Sequence, residues 1–315
     1  ENDWQSYIPQ QFNAHTKNPD RGFVSSANQH PVDENYPFYV FNDGYETYRN
    51  RVINDYFNSK EKFSVEDFKN LHNNNYNLKA AEIVPYMLEH MDTSPLDEEE
   101  MSIYNEIKAW KFNNDIDEVG PSIFRQWYGK LYILVWDEFV SEDTALSSPF
   151  TYQTIYLLKN HGEHKFMDIV KTEDKVETAK DLILIAFRSA VSKLIEIREE
   201  KGNYKWANYK ATYAGHLLQA LPAFSRFDIP IGGDRNIVNA TSENHGPSWR
   251  MIVEMSSPPT ALGIYPGGQS GNPGSKYYDN LIDDWAEGKY LQLNFLQSSQ
   301  ATDAIISTLT LTPKN

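Results

Sequence analysis

Cysteine is absent from all 315 residues of the chain. This absence excludes disulfide bridges and thiolate metal sites, and it leaves the redox compartment undetermined. Basic residues are also few, because 29 Lys and Arg face 44 Asp and Glu and leave a net charge of −15. No stripe of basic residues relieves this balance, so we expect no nucleic-acid partner.

Long apolar runs are missing as well. No run approaches the roughly 20 residues that a membrane-spanning helix needs, so we predict no membrane span. The first residues, ENDWQSY, contain neither the basic nor the apolar region of a signal peptide. A signal already removed from a precursor would leave the same sequence, so this absence says nothing about export.

Aromatic residues, by contrast, are abundant. The chain has 7 Trp, 20 Tyr and 16 Phe, which is far too many for a disordered protein. Its length allows one large domain or two modest ones with an ample hydrophobic core. We therefore predict a folded chain.

The middle of the chain is predicted to be helical. From about Tyr45 to Gly202, apolar residues recur at the three- and four-residue intervals of amphipathic helices. The predicted helices cover residues 45–58, a segment that starts after Ser64, 78–91 with Pro85 inside, a segment that starts at Ser94 and Pro95, 121–139, 152–158 and 176–197.

The sequence pattern changes after Ala211, where Gly and Pro separate short alternating runs. Strands are predicted at 234–240, 249–255 and 261–265, and a last short helix at 277–286. We divide the chain into a strand and loop at 1–44, a helical body at 45–210, and returning strands with a short helix at 211–315. These parts are expected to form one continuous structural unit.

The segment 18–51 contains the most informative candidate site. Asn18, Pro19 and Gly22 mark a turn, Phe23 and the next few residues favour a strand, and the strand is expected to stop at Asn28. A neutral amide at the end of a strand can donate a hydrogen bond to a developing negative charge. The alternative is that Asn28 only satisfies the backbone of a turn.

Spaced motifs at both ends of the chain resemble the penicillin acylase family of N-terminal-nucleophile hydrolases. Near the start these are NPDRGFVSSANQHPVD, YPFYVF and YRNRV. Near the end they are Gly232 to Ala240, His245 to Arg250 (HGPSWR), Gly268 to Ser275 (GQSGNPGS), and Tyr278 with Trp285. The resemblance implies an α+β fold: the C-terminal portion of an αββα sandwich, with a mainly helical body and antiparallel strands from both ends of the chain.

The resemblance also implies roles for individual residues. Asn28 matches the family's oxyanion-hole asparagine, and Arg49 matches an arginine at the start of a helix that lines the acyl site. Arg51 is a possible match instead of Arg49. The implied reaction is cleavage of the amide of an N-acylated substrate through an acyl-enzyme, with an N-terminal Ser as nucleophile.

Residue 1 is Glu, so the nucleophile that the family pattern requires is not at this position. The expectation is therefore a C-terminal part of the family's large chain that is inactive alone. Its expected partners are the N-terminal part of the same precursor, with the small chain and the nucleophile segment, and an acylated small-molecule substrate. The family's calcium ligands lie mostly in other segments, so we expect no cofactor or metal here. The family implies a bacterial protein in the periplasm or outside the cell.

Other interpretations of the sequence remain open. The aromatic residues from Tyr36 to Tyr48 would also suit a binding or interaction module without catalysis. A serine hydrolase based on Ser270 and His245 is disfavoured, because residue 272 is Asn where a nucleophile elbow needs Gly.

Three further patterns are weak. His161 and His164 lack partners at the spacing of a metal site. Asn239 to Thr241 forms a glycosylation sequon, and Gly232 to Asp234 lacks the strand and helix context of a phosphate-binding loop.

Overall fold

The structure, a computed structural model, describes residues 6–39, 47–139, 146–147, 149–218, 221–298, 305 and 307–313. A large helical body is joined to two small antiparallel sheets. This arrangement confirms the predicted α+β class. Within the described part of the chain, no helix is both long and apolar enough to cross a membrane.

The helices follow the predicted periodicity closely in the first two thirds of the chain. They are α1 (Tyr48–Asn58), α2 (Val65–His72), α3 (Leu78–His90), α4 (Glu98–Ala109), α5 (Gly120–Val135), α6 (Thr151–Asn160), α7 (Ala179–Lys201), α8 (Trp206–Lys210) and α9 (Ile282–Ala286). Short 3-10 turns lie at Gln10–Phe12, Asp137–Phe139, Lys165–Met167 and Pro222–Phe224.

Local capping explains several helix boundaries. Ser64 begins α2 as predicted, since its hydroxyl accepts from the Asp67 backbone while the Asp67 carboxylate accepts from the Ser64 backbone. The predicted start of α4 at Ser94 and Pro95 is wrong. Asp97 forms the cap instead, in a reciprocal pair with Glu100, because its carboxylate reaches the first free N–H groups of the helix.

The main core lies where α5 packs along α7. Trp127 of α5 is fully buried, and its indole N–H donates to the backbone oxygen of Ile183 at 2.9 Å. The same ring meets Phe187 edge-on, with 5.0 Å between ring centroids. Residues from α3, α4 and α6 complete this cluster, so the helical body has one continuous hydrophobic core.

The two sheets follow the helical body in the sequence. Strands β1 (Thr212–Ala214) and β2 (Arg226–Ile229) pair antiparallel, and β3 (Arg250–Glu254), β4 (Thr260–Ile264) and β5 (Leu291–Leu293) form a second antiparallel sheet. The predictions at 249–255 and 261–265 correspond to β3 and β4. The predictions missed β1, β2, β5 and α8, which have only three to five residues each and therefore give little periodic signal.

The predicted strand that begins at Phe23 is wrong, and so is its expected sheet with the C-terminal strands. The segment instead lies across α1. The Ser25 hydroxyl donates to the Asn54 side chain at 2.7 Å, and the Phe23 ring packs on Phe57 with 5.0 Å between centroids. The segment is thus held against α1 by contacts between side chains.

Two more predicted elements differ. Residues 234–240 form turns instead of a strand, because Asn239 bonds through both its backbone and its side chain to residues 74 and 75. The last helix covers only Ile282–Ala286, within the predicted 277–286. The division at residues 44 and 210 stays a prediction.

Candidate active site

Residues from the N-terminal segment and from the second half of the chain line one cavity of about 390 Å³. It lies where the segment before α1, the first turn of α1 and the loop before β3 meet. The described residues that line it are Asn28, Arg49, Arg235, Ala240, Thr241, Ser242 and His245. Both residues that the resemblance singled out are therefore in one cavity.

The backbone at Asn28 is in the left-handed region, with φ 52°. Asn tolerates this conformation better than most residues, since its short polar side chain bonds locally. The turn before it also contains left-handed residues, Asn18 at φ 49° and Gly22 at φ 76°. This chain path carries the exposed Asn28 side chain to the N-terminal end of α1.

Arg49 fixes the orientation of the Asn28 amide. One guanidinium nitrogen, Nη2, donates to the Asn28 Oδ1 atom at 2.5 Å. A guanidinium group has only donors, so the amide oxygen must face it. The Asn28 Nδ2 group then points away from Arg49, and within the described part of the chain it donates to no other group.

Arg51, the possible alternative, has a different partner. Its Nη2 atom lies 2.5 Å from the Glu82 carboxylate, and this hydrogen bond raises the pKa of the Arg51 guanidinium. Arg51 lines a separate cavity of about 560 Å³. Other lining residues of that cavity are His30, Thr47, Tyr48, Glu82, Tyr152, Ile155, Tyr156, Lys159 and Asn160. Arg49 and Arg51, both in α1, therefore line different cavities.

The cavity at Asn28 is rich in donors. Arg49, Arg235 and His245 line it, and the described lining residues include no carboxylate, although the chain as a whole carries a net charge of −15. The Ser242 hydroxyl is buried there and has no hydrogen-bond partner among the described residues. Such a cavity suits a ligand atom that bears or develops negative charge.

The predicted site did not include Arg235, Thr241 or Ser242. Arg235 lies within the motif from Gly232 to Ala240 that the resemblance had marked, and Thr241 and Ser242 follow that motif directly. Proximity to that motif was the sequence signal that could have identified these three residues. The predicted strand at 234–240 gave no reason to expect Arg235 beside Thr241 and Ser242, because only a turn brings these residues to one cavity.

The residues of the alternative serine hydrolase site do not lie together. Ser270 lines another cavity, with His216, while His245 lines the cavity at Asn28. The Ser270 hydroxyl accepts from the Asn272 backbone in a turn. The sequon residue Asn239 is 3% exposed, so its amide nitrogen, bonded to Asn75, is not accessible in the folded chain.

His161 and His164 flank a turn after α6, and His164 accepts from the Phe166 backbone. Across the described ranges, no group of three or more His, Asp or Glu is placed to hold a metal ion. The aromatic loop is described only in part, because residues 40–46 lie outside the described residues. In the described part, the Tyr36 hydroxyl donates to the Phe12 backbone at 2.8 Å.

Comparison with known proteins gives consistent results. The family model described as Penicillin amidase matches residues 1–302. The acyl-homoserine lactone acylase QuiP of Pseudomonas syringae pv. tomato is 27% identical over 212 residues, which cover 63% of this chain and 24% of that protein. QuiP of Pseudomonas aeruginosa is 27% identical over 226 residues, which cover 63% and 25%. The chain spans about a quarter of the length of these curated relatives.

A similar fold occurs in a solved structure. The thermostable penicillin G acylase from Alcaligenes faecalis in its orthorhombic form superposes with a TM-score of 0.54 and 14% sequence identity. The match covers 95% of this chain and 58% of that chain. The two proteins share a fold over nearly the whole of this chain.

Proposed function

Because this chain belongs to the penicillin amidase family, we propose that it supplies the oxyanion-binding part of a site that hydrolyses the amide of an N-acylated small molecule. The observation that carries this proposal is the contact between Arg49 and Asn28 at the edge of a donor-rich cavity. It leaves the Asn28 Nδ2 group free to donate to an oxygen in that cavity.

The reaction proceeds in two steps. A nucleophilic hydroxyl adds to the amide carbonyl, and the carbonyl oxygen becomes negatively charged in the tetrahedral intermediate. Asn28 donates to this oxygen, and a neutral amide donor stabilises the oxyanion more than the uncharged carbonyl. The C–N bond then breaks, the amine leaves with a proton, and water hydrolyses the acyl-enzyme to a carboxylic acid.

Arg49 acts on Asn28. As a permanently protonated group bonded to Oδ1, it prevents the amide from turning its oxygen toward the developing negative charge. It also polarises the amide, since a hydrogen bond to the oxygen strengthens the N–H groups as donors.

The nucleophile is proposed to come from a segment of the same precursor outside these residues. Support comes from the share of the relatives that the chain matches, about a quarter of their length. In this proposal the chain alone does not hydrolyse amides, and the reaction needs no cofactor held by these residues. A periplasmic or secreted location in a bacterium completes the proposal.

The substrate class follows from the relatives. The names of two of them denote acylases, one for penicillin G and one for acyl-homoserine lactones. We therefore propose an N-acylated amine whose acyl group leaves as a carboxylic acid. Both penicillin G and an N-acyl-homoserine lactone are suitable test substrates.

Site-directed variants of the full-length protein test the proposal. Asn28→Ala is expected to lower kcat about 100- to 1,000-fold with little change in KM, because one oxyanion donor is lost. Arg49→Met is expected to lower kcat at least about tenfold, because the amide is free to rotate. Arg51→Met, on the same helix but paired with Glu82, is the matched control and should retain kcat within about threefold. Full activity of Asn28→Ala would contradict the proposal.

A ligand-binding role without catalysis is the second candidate. The cavity of about 560 Å³ favours it, because three tyrosines line it beside Arg51 and Lys159, a combination that suits an amphipathic ligand. In this case the full-length protein would bind an N-acylated amine without converting it. Tyr156→Ala would then weaken binding, whereas Asn28→Ala would leave affinity unchanged.

A further inference from the structure

Behind the cavity at Asn28 lies a buried lysine without a carboxylate contact in the described structure. Lys210, in the last turn of α8, is only 4% exposed. Its Nζ atom donates to the backbone oxygens of Gly232 and Gly233, at 2.8 and 3.3 Å, and to the Thr241 hydroxyl at 2.7 Å. An ammonium group has three donors, and all three are used.

These contacts join the two ends of one loop, residues 232–242. Thr241 is fully buried, and its hydroxyl in turn donates to the Gly232 oxygen at 2.6 Å. Gly232 and Thr241 are thus held together around one nitrogen atom. Between and beside them, Arg235 and Ser242 line the cavity at Asn28. The position of this cavity wall is therefore tied to Lys210.

A buried lysine is costly for the fold. Burial lowers the pKa of Lys210 to about 7, with Asp234 raising it and Arg125 lowering it further. The charged or titratable groups that surround it are Arg125 of α5, Lys201 of α7, Tyr209 of α8, Asp234 of the loop, and Glu243 directly after the loop.

Two of the three acceptors would keep another donor without Lys210. Gly232 retains the Thr241 hydroxyl, and Gly233 retains the indole N–H of Trp206 at 2.8 Å. Only the Thr241 hydroxyl loses its donor, and the cost of burying a charge disappears, so we expect the fold to tolerate an apolar side chain of similar length. We therefore look for a contribution of Lys210 other than to the stability of the fold.

We propose that Lys210 is a positioning residue for the candidate site: its three hydrogen bonds hold loop 232–242 in the one arrangement that places the cavity wall against Asn28 and Arg49. This inference rests on the proposed function. It predicts that removing the ammonium group impairs the site without destabilising the protein. A merely structural residue would show both effects together.

The test compares Lys210→Met with wild type in the full-length protein. The Tm of the variant is expected to be equal or higher, while kcat for an N-acylated substrate falls about tenfold and KM changes less than threefold. Hydrogen exchange of the backbone amides of 233, 237 and 239 should become about tenfold faster, the size expected for losing one or two hydrogen bonds. The amides of α7 should be unchanged.

Two further variants sharpen the result. Thr241→Val keeps the shape but removes the hydroxyl that Lys210 contacts, and it should reproduce the faster exchange. Lys201→Met removes an exposed lysine that lines a neighbouring cavity with Lys210, and it should leave exchange and kcat unchanged.

Three outcomes overturn the inference. Lys210→Met with wild-type loop exchange and kcat would show that the contacts position nothing. A parallel fall of Tm and activity, with faster exchange throughout the core, would make Lys210 an ordinary structural residue. Unchanged exchange in Thr241→Val would show that the Thr241 contact does not hold the loop. If the full-length protein proves inactive on every amide, the proposed function fails, and the exchange measurements still decide the positioning role.

Discussion

Asn28 combines two features that are separately ordinary. Its left-handed backbone conformation is one that Asn tolerates. Its hydrogen bond to Arg49 is partly exposed and therefore contributes little to stability. Their combination matters for the proposed chemistry, because the amide oxygen accepts from Arg49 while the amide nitrogen has no partner among the described residues. At the scale of single residues, the proposed function depends on which atom of the Asn28 side chain can still donate.

Lys210 makes stability depend on pH. Its folded-state pKa of about 7 lies below the ordinary value of 10.5, so unfolding takes up a proton between these two values. The contribution to stability is therefore fully present above about pH 10.5 and is lost as the pH falls to about 7. We expect the free energy of unfolding of wild type, minus that of Lys210→Met, to decrease from pH 10 to pH 7 and then level off.

Urea unfolding of both proteins at several pH values measures this difference, and subtraction cancels the titration of the other groups. Lys201→Met again serves as the control, because it removes an exposed lysine. A difference that does not vary with pH would show that Lys210 has an ordinary pKa in the folded protein.

Gly233 is needed for the loop at the site. Its φ is +79°, and a Cβ atom at this position would lie 2.0 Å from the backbone oxygen of Asn239. Gly233→Ala is expected to lower the free energy of unfolding by at least about 2 kcal/mol, through backbone strain and the clash together.

Gly202 provides the matched control for that substitution. It has nearly the same φ, +82°, but a Cβ atom added there would meet no atom within 4 Å. Gly202→Ala should therefore cost only the conformational strain of about 1–2 kcal/mol. Equal losses for the two variants in chemical denaturation would show that the contact with Asn239 has no cost.

At the scale of elements, helix ends were decided by local hydrogen bonds. Ser64 and Asp67 satisfy each other's backbone at the start of α2, and Gly202 ends α7 at a left-handed position. Both features were visible in the sequence. At α4, the choice between Ser94 and Asp97 depended on which side chain reached the free N–H groups, and only the structure showed this.

Ser64→Ala is expected to destabilise the protein by about 1 kcal/mol, since the cap of α2 loses its acceptor. Ser102→Ala, at an exposed position inside α4, is the control. It should be neutral or slightly stabilising, because Ala has the higher helix propensity. Thermal unfolding of both variants checks this, and equal Tm shifts would refute the capping role.

Strands were predicted less well than helices. The predicted strand at 249–255 contains β3, and the one at 261–265 overlaps β4 except for its first residue. The segments 23–28 and 234–240 have the composition of strands but no strand neighbour among the described residues. A strand exists only if another strand pairs with it. Composition indicates the tendency of a segment, and the pairing depends on residues far away in the sequence.

At the scale of the whole molecule, buried polar contacts join the C-terminal sheet to the rest of the chain. Arg250 at the start of β3 is 4% exposed, and it donates to the Asn239 side chain and to the Trp285 backbone, both at 2.8 Å. Asn239 in turn bonds to Asn75 of the helical body. One guanidinium group thus links the sheet, the site loop and α9.

Arg250→Met is therefore expected to lower the free energy of unfolding by about 1–3 kcal/mol, because two buried acceptors lose a donor. The loss should be local, so hydrogen exchange should accelerate in β3, β4 and α9 but not in α5 or α7. Arg226→Met, which removes exposed ion pairs to Asp279 and Asp283, is the control with a smaller effect. Uniform acceleration would contradict this role of Arg250.

The sequence by itself determined the family, the α+β class and most helices, and it predicted Asn28 and Arg49 as site residues. Helical periodicity, caps and motifs are local, so they can be seen without knowing what contacts them. Only the tertiary structure decided that Arg49 and not Arg51 contacts Asn28, that loop 232–242 completes the cavity, and that Lys210 bonds to both ends of this loop. Those results depend on contacts between residues that are distant in the sequence, whose geometry is set by packing of the whole chain.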